Sequence, residues 1–296
     1  MEGCYRAMKQ FNVLDLFSGI GGFSLGLERT GGFNTSAFCE IEDYPRRVLR
    51  KHWPEVPCYE DVRTLTSDKL AADGIAVNVI CGGFPCQDLS IAGNCAGIDA
   101  ERSGLWSEFS RLIGELRPRY VIVENVANLL AGPSERPGWW FGRVLGDLAA
   151  LGYNAEWHCI PASAIGAEHD RDRVWIIAYP DEVRELQPQG DQQDKRGRSG
   201  DSSEAPSPNS DQTRRSRGMQ ARADGTHVAR FEPWLRSAIN NATTLSREHW
   251  NHQPVLGRGV HGVSHRLDRI GCLGNAVFPY IPELIGRAIL FYEANP

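Results

Sequence analysis

The sequence predicts a doubly wound α/β fold, and three observations lead to it. Short apolar segments that predict strands alternate with segments whose apolar residues recur at helical spacing. Glycines follow the first predicted strand directly and open a helix. Acidic or nucleophilic residues then follow several predicted strands, and open α/β sheets carry their chemistry at the carboxyl ends of their strands.

The first two strands predict a nucleotide-type site. Phe11–Phe17 is a strand candidate, and the glycine turn Ser18–Gly22 leads from it into a helix. The next strand, Thr35–Cys39, ends at Glu40, an acid about twenty residues after the turn and placed to accept from ribose hydroxyls. Asp61, further on, is a candidate contact to an adenine amino group. The features favour an adenosine-containing cofactor, and the alternative is a plain turn with a surface glutamate.

A third apolar run, Val77–Cys81, predicts a buried strand that ends in a stiff loop. Gly82 and Gly83 are expected to break this strand and turn the backbone. Pro85 restricts the loop and holds Cys86 just beyond the strand end. Cys86 is therefore either a nucleophile or a buried core cysteine, since free cysteine is often buried.

The stretch 87–103 is polar and glycine-rich, and its length is typical of a lid or binding loop. A helix is predicted over Gly104–Leu116, followed by the strand Tyr120–Glu124. An acid at the end of a buried strand is a candidate active-site carboxyl with a raised pKa. The alternative for Glu124 is a helix-capping position or a solvated turn.

Beyond it, a helix over Pro137–Leu151 and strands over Tyr153–Ile160 and Val174–Tyr179 are predicted. Arg171 and Arg173, two residues apart before the last of these strands, suit phosphate or base contacts. Ion pairing with the neighbouring Asp170 and Asp172 is the alternative, and spacing alone favours it.

Composition divides the rest of the chain. The stretch of about 187–228 is so poor in apolar residues that disorder is predicted. Ordered sequence resumes at Arg230–Ile239, and a closing helix is predicted over Ile281–Tyr292. We therefore expect a catalytic domain over 1–180, a short recognition or linker region over 181–260, and a C-terminal segment, 261–296, that returns to the catalytic domain.

Bulk properties exclude several classes of protein. The formal net charge of −5 shows no global basic field, which weighs only mildly against nucleic acid because a basic footprint can be local. The eight cysteines include no Cys-x-x-Cys pair, so neither a structural zinc site nor a disulfide framework is expected, and no metal is predicted. No apolar run reaches membrane-spanning length and the N-terminus lacks a signal-peptide pattern, so a cytoplasmic protein is expected.

Five motifs taken in order resemble the C5-cytosine DNA methyltransferases. They are Asp15–Gly22 (DLFSGIGG), Gly83–Gln87 (GFPCQ), Glu124–Val126 (ENV), Arg171–Arg173 (RDR) and Gly274–Val277 (GNAV). The resemblance covers residues 11–180 and about 265–292. It implies a Rossmann-like methyltransferase sheet with a small, partly disordered target-recognition region, as in compact bacterial, phage- or prophage-encoded members.

The resemblance also implies roles residue by residue. The catalytic residues would be Cys86 as nucleophile, Glu124 as the carboxyl facing the base, Arg171 and Arg173. The S-adenosylmethionine pocket would be lined by Phe17, Gly19, Gly21, Glu40, Ile41, Asp61, Val62, Leu105, Asn275 and Val277. The flipped base would meet Pro85, Gln87, Ser90 and Asn125. His169 departs from the glutamine of many members.

The implied function is transfer of a methyl group from S-adenosylmethionine to carbon 5 of a flipped cytosine in a specific DNA sequence, through a covalent Cys86 adduct. Double-stranded DNA would be the substrate of a monomeric enzyme, with a cognate restriction endonuclease as a genetic partner. Two alternatives remain open: a transfer-RNA cytosine methyltransferase, and a non-catalytic DNA-binding regulatory homologue.

Overall fold

A seven-stranded sheet forms the centre of the computed structural model, which describes residues 10–85, 104–132, 137–167, 171–181, 230–249 and 275–295. The strands are β1 Phe11–Leu16, β2 Phe33–Cys39, β3 Cys58–Tyr59, β4 Val79–Gly83, β5 Tyr120–Val126, β6 Tyr153–Cys159 and β7 Arg173–Pro180. Their order in the sheet is β3-β2-β1-β4-β5-β7-β6. The pairs from β3 to β5 are parallel, and β7 runs antiparallel to both of its neighbours.

The strand order reverses at β1. From β1 the chain adds β2 and β3 on one side, and then returns to add β4 and the later strands on the other. Such a reversal leaves a crevice at the carboxyl ends of the two diverging strands, where open α/β sheets bind their ligands. Here these ends are the residues that follow Leu16 and Gly83.

Helices cover both faces of the sheet. They are α1 Gly22–Glu28, α2 Asp43–His52, α3 Ser67–Ala72, α4 Leu105–Leu116, α5 Trp139–Ala150, α6 Glu232–His249 and α7 Tyr280–Ala294. Two short 3₁₀ turns, Ala127–Leu130 and Ala162–Ile165, follow β5 and β6. The doubly wound fold expected from the sequence is therefore confirmed.

Side chains alternate between two apolar cores, one on each face. Leu14 and Ile80 pack with α4 and α5, whereas Val13 and Val79 pack with α1 and α7. Such alternation follows from the two-residue period of a strand. A strand whose two faces are both covered is apolar throughout, as in the Tyr120–Val123 run of β5.

The predicted break at Gly82 and Gly83 is wrong, because β4 continues through both glycines. Neither glycine has a positive φ, so backbone freedom is not the reason for them. A Cβ on Gly82 would lie 2.5 Å from the Leu16 backbone oxygen, and one on Gly83 would lie 2.7 Å from Glu124 Oε2. Both positions are glycine because the neighbouring atoms leave no room for a side chain.

The closing helix α7 packs against α1. Two glycines of α1 make this approach possible. A Cβ on Gly22 would lie 2.3 Å from the Val277 backbone oxygen, and one on Gly26 would lie 2.1 Å from that of Pro279. The residues that lead into α7 are thereby held against the first turn of α1.

The chain returns to the sheet at Arg230. The Arg230 guanidinium carbon lies 4.2 Å from the ring centre of Tyr179 and 4.8 Å from that of Tyr292. The backbone amides of Arg230 and Phe231 donate to the two carboxylate oxygens of Glu156, at 2.6 and 3.0 Å. Phe231 is fully buried between aromatic rings, so this re-entry point belongs to the apolar core. Assignment of 181–260 to recognition stays a prediction.

Among the helices described, none combines the length and the apolar character needed to cross a membrane.

Candidate active site

The turn after β1 has an unusual backbone. Phe17 has a φ of 53°, and Gly19 and Gly21 have φ values of 53° and 84°. A positive φ is uncommon for a bulky residue and costs about 1–3 kcal/mol, and such strain is concentrated at functional sites. The turn is held by Ser18, whose hydroxyl donates to the Asp15 backbone oxygen at 2.6 Å and whose amide donates to the Cys39 oxygen at 3.2 Å.

Glu40 links the turn to the end of β2. Its Oε2 accepts the Gly19 amide at 2.7 Å, and its Oε1 accepts the Glu42 amide at 2.8 Å. The carboxylate is buried between these donors. A carboxylate accepts about four hydrogen bonds, so each oxygen retains capacity for a ligand hydroxyl. The hydrogen bond from the Gly19 amide thus joins the glycine turn to the acid at the end of β2.

Asp15, directly below the turn, was given no role of its own from the sequence. It is fully buried, and its Oδ2 accepts the Ser24 hydroxyl at 2.7 Å. Burial raises the pKa of Asp15 to about 7, although hydrogen bonds from Ser24 oppose the shift. The carboxyl thus meets the first turn of α1, whose N-cap residue, Gly21, provides no side-chain hydrogen bond. An acidic residue inside the largely apolar strand FNVLDL was the signal in the sequence that could have indicated a buried, functional carboxyl.

The remaining candidates for the cofactor pocket surround these strand ends. Phe17 and Leu105 pack against the apolar cluster that contains Val62, and the Phe17 ring is stacked 6.3 Å from Phe109. Asp61 accepts the Arg63 amide at 2.9 Å through Oδ1. Ile41 is 61% exposed and has the accessibility that a ligand contact requires.

Val277 is brought to the turn by its contact with Gly22, whereas Asn275 is exposed. A cavity of about 260 Å³ lies between the glycine turn, Arg171 and the Ala276–Pro279 segment. The C-terminal segment and the first motif therefore share one concave surface, although they are distant in sequence.

Glu124 lies at the carboxyl end of β5, in register with Gly83 of β4. Its Oε1 is 2.8 Å from Arg173 Nε, and its Oε2 occupies the space that a side chain on Gly83 would fill. Burial raises the pKa of Glu124, while the charges of Arg173 and Arg171 oppose that shift. Arg173 thus reaches across to the next strand, a partner that spacing in the 170–173 segment did not suggest.

Arg171 lies on the same side of the site. Burial, followed by the neighbouring charge of Arg173, lowers the pKa of its guanidinium. Among the residues that the structure describes, none makes a hydrogen bond or an ion pair with this side chain. A half-buried guanidinium that lines a cavity has the character of an anion-binding group.

The loop after β4 begins in a fixed position. The Phe84 ring is buried 5.2 Å from the Trp106 ring, and the Phe84 backbone oxygen accepts the Asn125 side-chain amide at 2.9 Å. Pro85 follows and is exposed. Cys86, Gln87, Ser90 and His169 lie outside the described residues. Asn125, next to Glu124, thus connects the strand carrying the acid to the start of the cysteine loop.

In the described ranges no three histidine, cysteine, aspartate or glutamate side chains are grouped as a metal site requires.

A doubly wound sheet with a strained glycine turn, a bonded acid after β2 and a buried acid beside the next loop is an open α/β protein with its polar groups gathered at the carboxyl ends of the strands, where such sheets bind ligands. The family model for C-5 cytosine-specific DNA methylase matches residues 11–255. The chain belongs to the C-5 cytosine-specific DNA methylase family.

Curated relatives are similar over the same region. The type II methyltransferase M.HgiCII of Herpetosiphon aurantiacus is 36% identical over 171 residues, which are 57% of this chain and 37% of that protein. M.Sau3AI of Staphylococcus aureus is 33% identical over 192 residues, 60% of this chain and 45% of that protein. The matched region thus spans less than half the length of either relative.

A solved structure of a putative DNA modification methyltransferase encoded within an E. coli prophage is 27% identical. Its TM-score is 0.49, and the match covers 59% of this chain and 48% of that one.

Proposed function

We propose that the protein transfers a methyl group from S-adenosylmethionine to carbon 5 of a cytosine flipped out of duplex DNA. The observation that carries the proposal is the Glu124–Arg173 pair, buried beside the start of the loop that continues into Cys86. The Glu124 carboxyl and the Arg173 guanidinium, 2.8 Å apart, offer hydrogen-bonding groups suited to the polar edge of a flipped pyrimidine base.

The residues of the glycine turn fit the proposed methyl donor. A Cβ built on Gly19 meets no atom within 4 Å, so open space lies directly above this backbone. Glu40 retains acceptor capacity for ribose hydroxyls, and Ile41 offers exposed apolar surface for an adenine ring. S-adenosylmethionine would supply an electrophilic methyl group at this edge of the sheet. Phe17, Gly21, Asp61, Val62, Leu105, Asn275 and Val277 complete the proposed pocket.

Cys86 would activate the cytosine. Its thiolate adds to carbon 6, and the electron pair of the 5,6 double bond moves so that carbon 5 becomes enamine-like and nucleophilic. Carbon 5 would then take the methyl group as the bond between that methyl carbon and the donor sulfur breaks, with the electron pair staying on sulfur. A base would remove the proton from carbon 5, and the electrons of that C–H bond would restore the double bond while the thiolate leaves. A thiol of ordinary pKa, about 8.5, needs a nearby cation for partial ionisation, and Arg171 is a candidate.

Glu124 would stabilise the charge that develops when the thiolate adds. In this role a protonated Glu124 would donate a hydrogen bond to ring N3, and burial shifts the pKa of the carboxyl in the direction that this role requires. Arg173 holds the carboxyl in place through Oε1. Asn125, Pro85, Gln87 and Ser90 would bound the recess that receives the flipped base.

The test is trapping on duplex DNA that carries 5-fluorocytosine. With S-adenosylmethionine added, methyl transfer would leave fluorine on carbon 5 where a proton must be lost, so the adduct with Cys86 should persist and shift the protein on a denaturing gel. Cys86→Ala should form no adduct and should retain S-adenosylmethionine binding. The matched control is Cys159→Ala, which removes an exposed thiol at the end of β6 and should behave as wild type.

Tritiated-methyl incorporation identifies the nucleic acid. Incorporation into duplex DNA supports the proposal, and incorporation into transfer RNA alone would replace it with the RNA activity. Absence of an adduct and of incorporation with any DNA would favour a non-catalytic binding protein. The similarity to type II methyltransferases supports a bacterial or phage setting and a restriction endonuclease as genetic partner. Bisulfite sequencing of DNA from expressing cells would give the target site.

A further inference from the structure

Trp53 follows the last turn of α2 and faces α1. Pro45, Leu49 and Trp53 are four residues apart, so they project from one side of the helix. Pro45 and Leu49 are buried, and the Trp53 amide donates to the Leu49 oxygen at 2.7 Å. The helix therefore presents an apolar row toward the beginning of α1, and the indole is the last member of that row.

The indole lies directly against the glycine turn. A Cβ built on Gly21 would be 2.7 Å from Trp53 Cζ3 and 2.8 Å from Trp53 Cη2, and it would be 3.1 Å from Leu49 Cδ2. Side-chain carbons do not approach this closely, so the ring occupies the space beside the Gly21 Cα. Gly21 is thus required for its φ of 84° and also for its small volume.

The position of the indole is fixed from two directions. Its Nε1–H donates to Glu28 Oε2 at 2.9 Å, and Glu28 Oε1 accepts the Thr35 amide of β2 at 3.1 Å. The Phe38 ring meets it edge-on, with ring centres 5.4 Å apart. Glu28 ends α1, and Phe38 precedes Glu40 by two residues in β2. The same side chain therefore contacts both elements that form the proposed cofactor site.

We propose that Trp53 is a positioning residue that holds the glycine turn in its ligand-binding conformation. This inference rests on the proposed function for its ligand, S-adenosylmethionine, and on the geometry of Gly21 for its mechanism. Trp53 acts through Gly21 and Glu28, and it does not contact the ligand. Without the indole, the ring that packs beside Gly21 no longer prevents the strained turn from relaxing. The hydrogen bond from the Gly19 amide to Glu40 is then lost.

The experiment compares Trp53→Ala, Trp53→Phe and wild type in the full chain. We expect Trp53→Ala to weaken S-adenosylmethionine binding in equilibrium dialysis by about tenfold, the factor that corresponds to the loss of one hydrogen bond to a charged group. Trp53→Phe keeps a ring beside Gly21 and should bind S-adenosylmethionine with nearly the affinity of wild type. The KM for S-adenosylmethionine should rise, while kcat at saturation and the KM for DNA stay near wild type.

Trp157→Ala is the matched control, because it removes a half-exposed tryptophan from β6, away from the turn. Hydrogen exchange of peptides spanning 17–25 gives a second readout that needs no ligand. Faster exchange in Trp53→Ala, but not in Trp157→Ala, supports the positioning role. Unchanged exchange, or unchanged affinity in a folded Trp53→Ala protein, overturns it. If wild type binds no S-adenosylmethionine, the proposed function fails, and the exchange result alone then supports or overturns the role of Trp53.

Discussion

Replacing Asp15 by asparagine should remove a large part of the pH dependence of stability. The carboxyl is fully buried, and it accepts hydrogen bonds from Ser24 and from the Cys81 thiol. Burial raises its pKa from 3.8 to about 7. Between these two pH values the folded protein binds a proton that the unfolded chain has released. Because the folded state binds more protons, the free energy of unfolding falls as pH rises through this window.

The magnitude follows from the two pKa values. At about 1.4 kcal/mol per pH unit, the favourable contribution of the protonated carboxyl is complete below pH ~4 and is lost above pH ~7, a total of about 4 kcal/mol. The amide of Asp15→Asn keeps an acceptor for Ser24 and does not ionise. Relative to wild type, the variant should therefore gain about 3 kcal/mol in free energy of unfolding between pH 5 and pH 8.

Urea unfolding followed by tryptophan fluorescence at pH 5, 6, 7 and 8 measures this difference. The other ionisable groups contribute equally to both proteins, so the comparison isolates Asp15. Asp68→Asn, which changes an exposed carboxyl on α3, should run parallel to wild type. If wild type and Asp15→Asn also keep a constant difference across the four pH values, the reasoning about this buried carboxyl is refuted.

Three further substitutions test the site. Gly83→Ala places a methyl group 2.7 Å from Glu124 Oε2 and should cost about 1–3 kcal/mol in denaturation and a large part of the methyl-transfer rate; normal turnover would contradict the close contact. Gly22→Ala should lower the melting temperature by displacing the Val277 segment, and an unchanged value would show that this segment is not held there. Glu40→Gln retains one acceptor oxygen for two backbone amides, so about 1–3 kcal/mol of stability should be lost. S-adenosylmethionine should also bind more weakly in calorimetry, and equal affinity would remove Glu40 from the pocket.

Periodicity and glycine placement were enough to predict the strand and helix order around the site. The runs that became β1, β4 and β5 are apolar because both of their faces are covered, and that pattern is local in sequence. The short strand β3 and helix α3 had no comparable pattern and were not predicted. A strand of two residues carries too few side chains to show alternation.

Contacts between distant residues were harder to predict. The pair of glycines in β4 predicted a turn, because a sequence does not reveal that a carboxylate from β5 fills the space beside Gly83. Local spacing favoured aspartate partners for Arg173, whereas the sheet register brings Glu124 to it. Both contacts have one physical cause: the deciding neighbour is adjacent in space through strand pairing and remote along the chain.

The stacking of Arg230 on Tyr179 has a consequence for how the sequence between them can change in evolution. The described chain leaves the sheet at the end of β7, and Arg230 stacks on Tyr179, one residue before that end. Each doubling in the length of a closed loop costs only about 0.6 kcal/mol. A change in the length or sequence of residues 182–229 would therefore leave in place the contacts that Arg230 makes with Glu156 and with two tyrosines. Evolution can change the length and sequence between these fixed ends while the sheet and its chemistry stay constant.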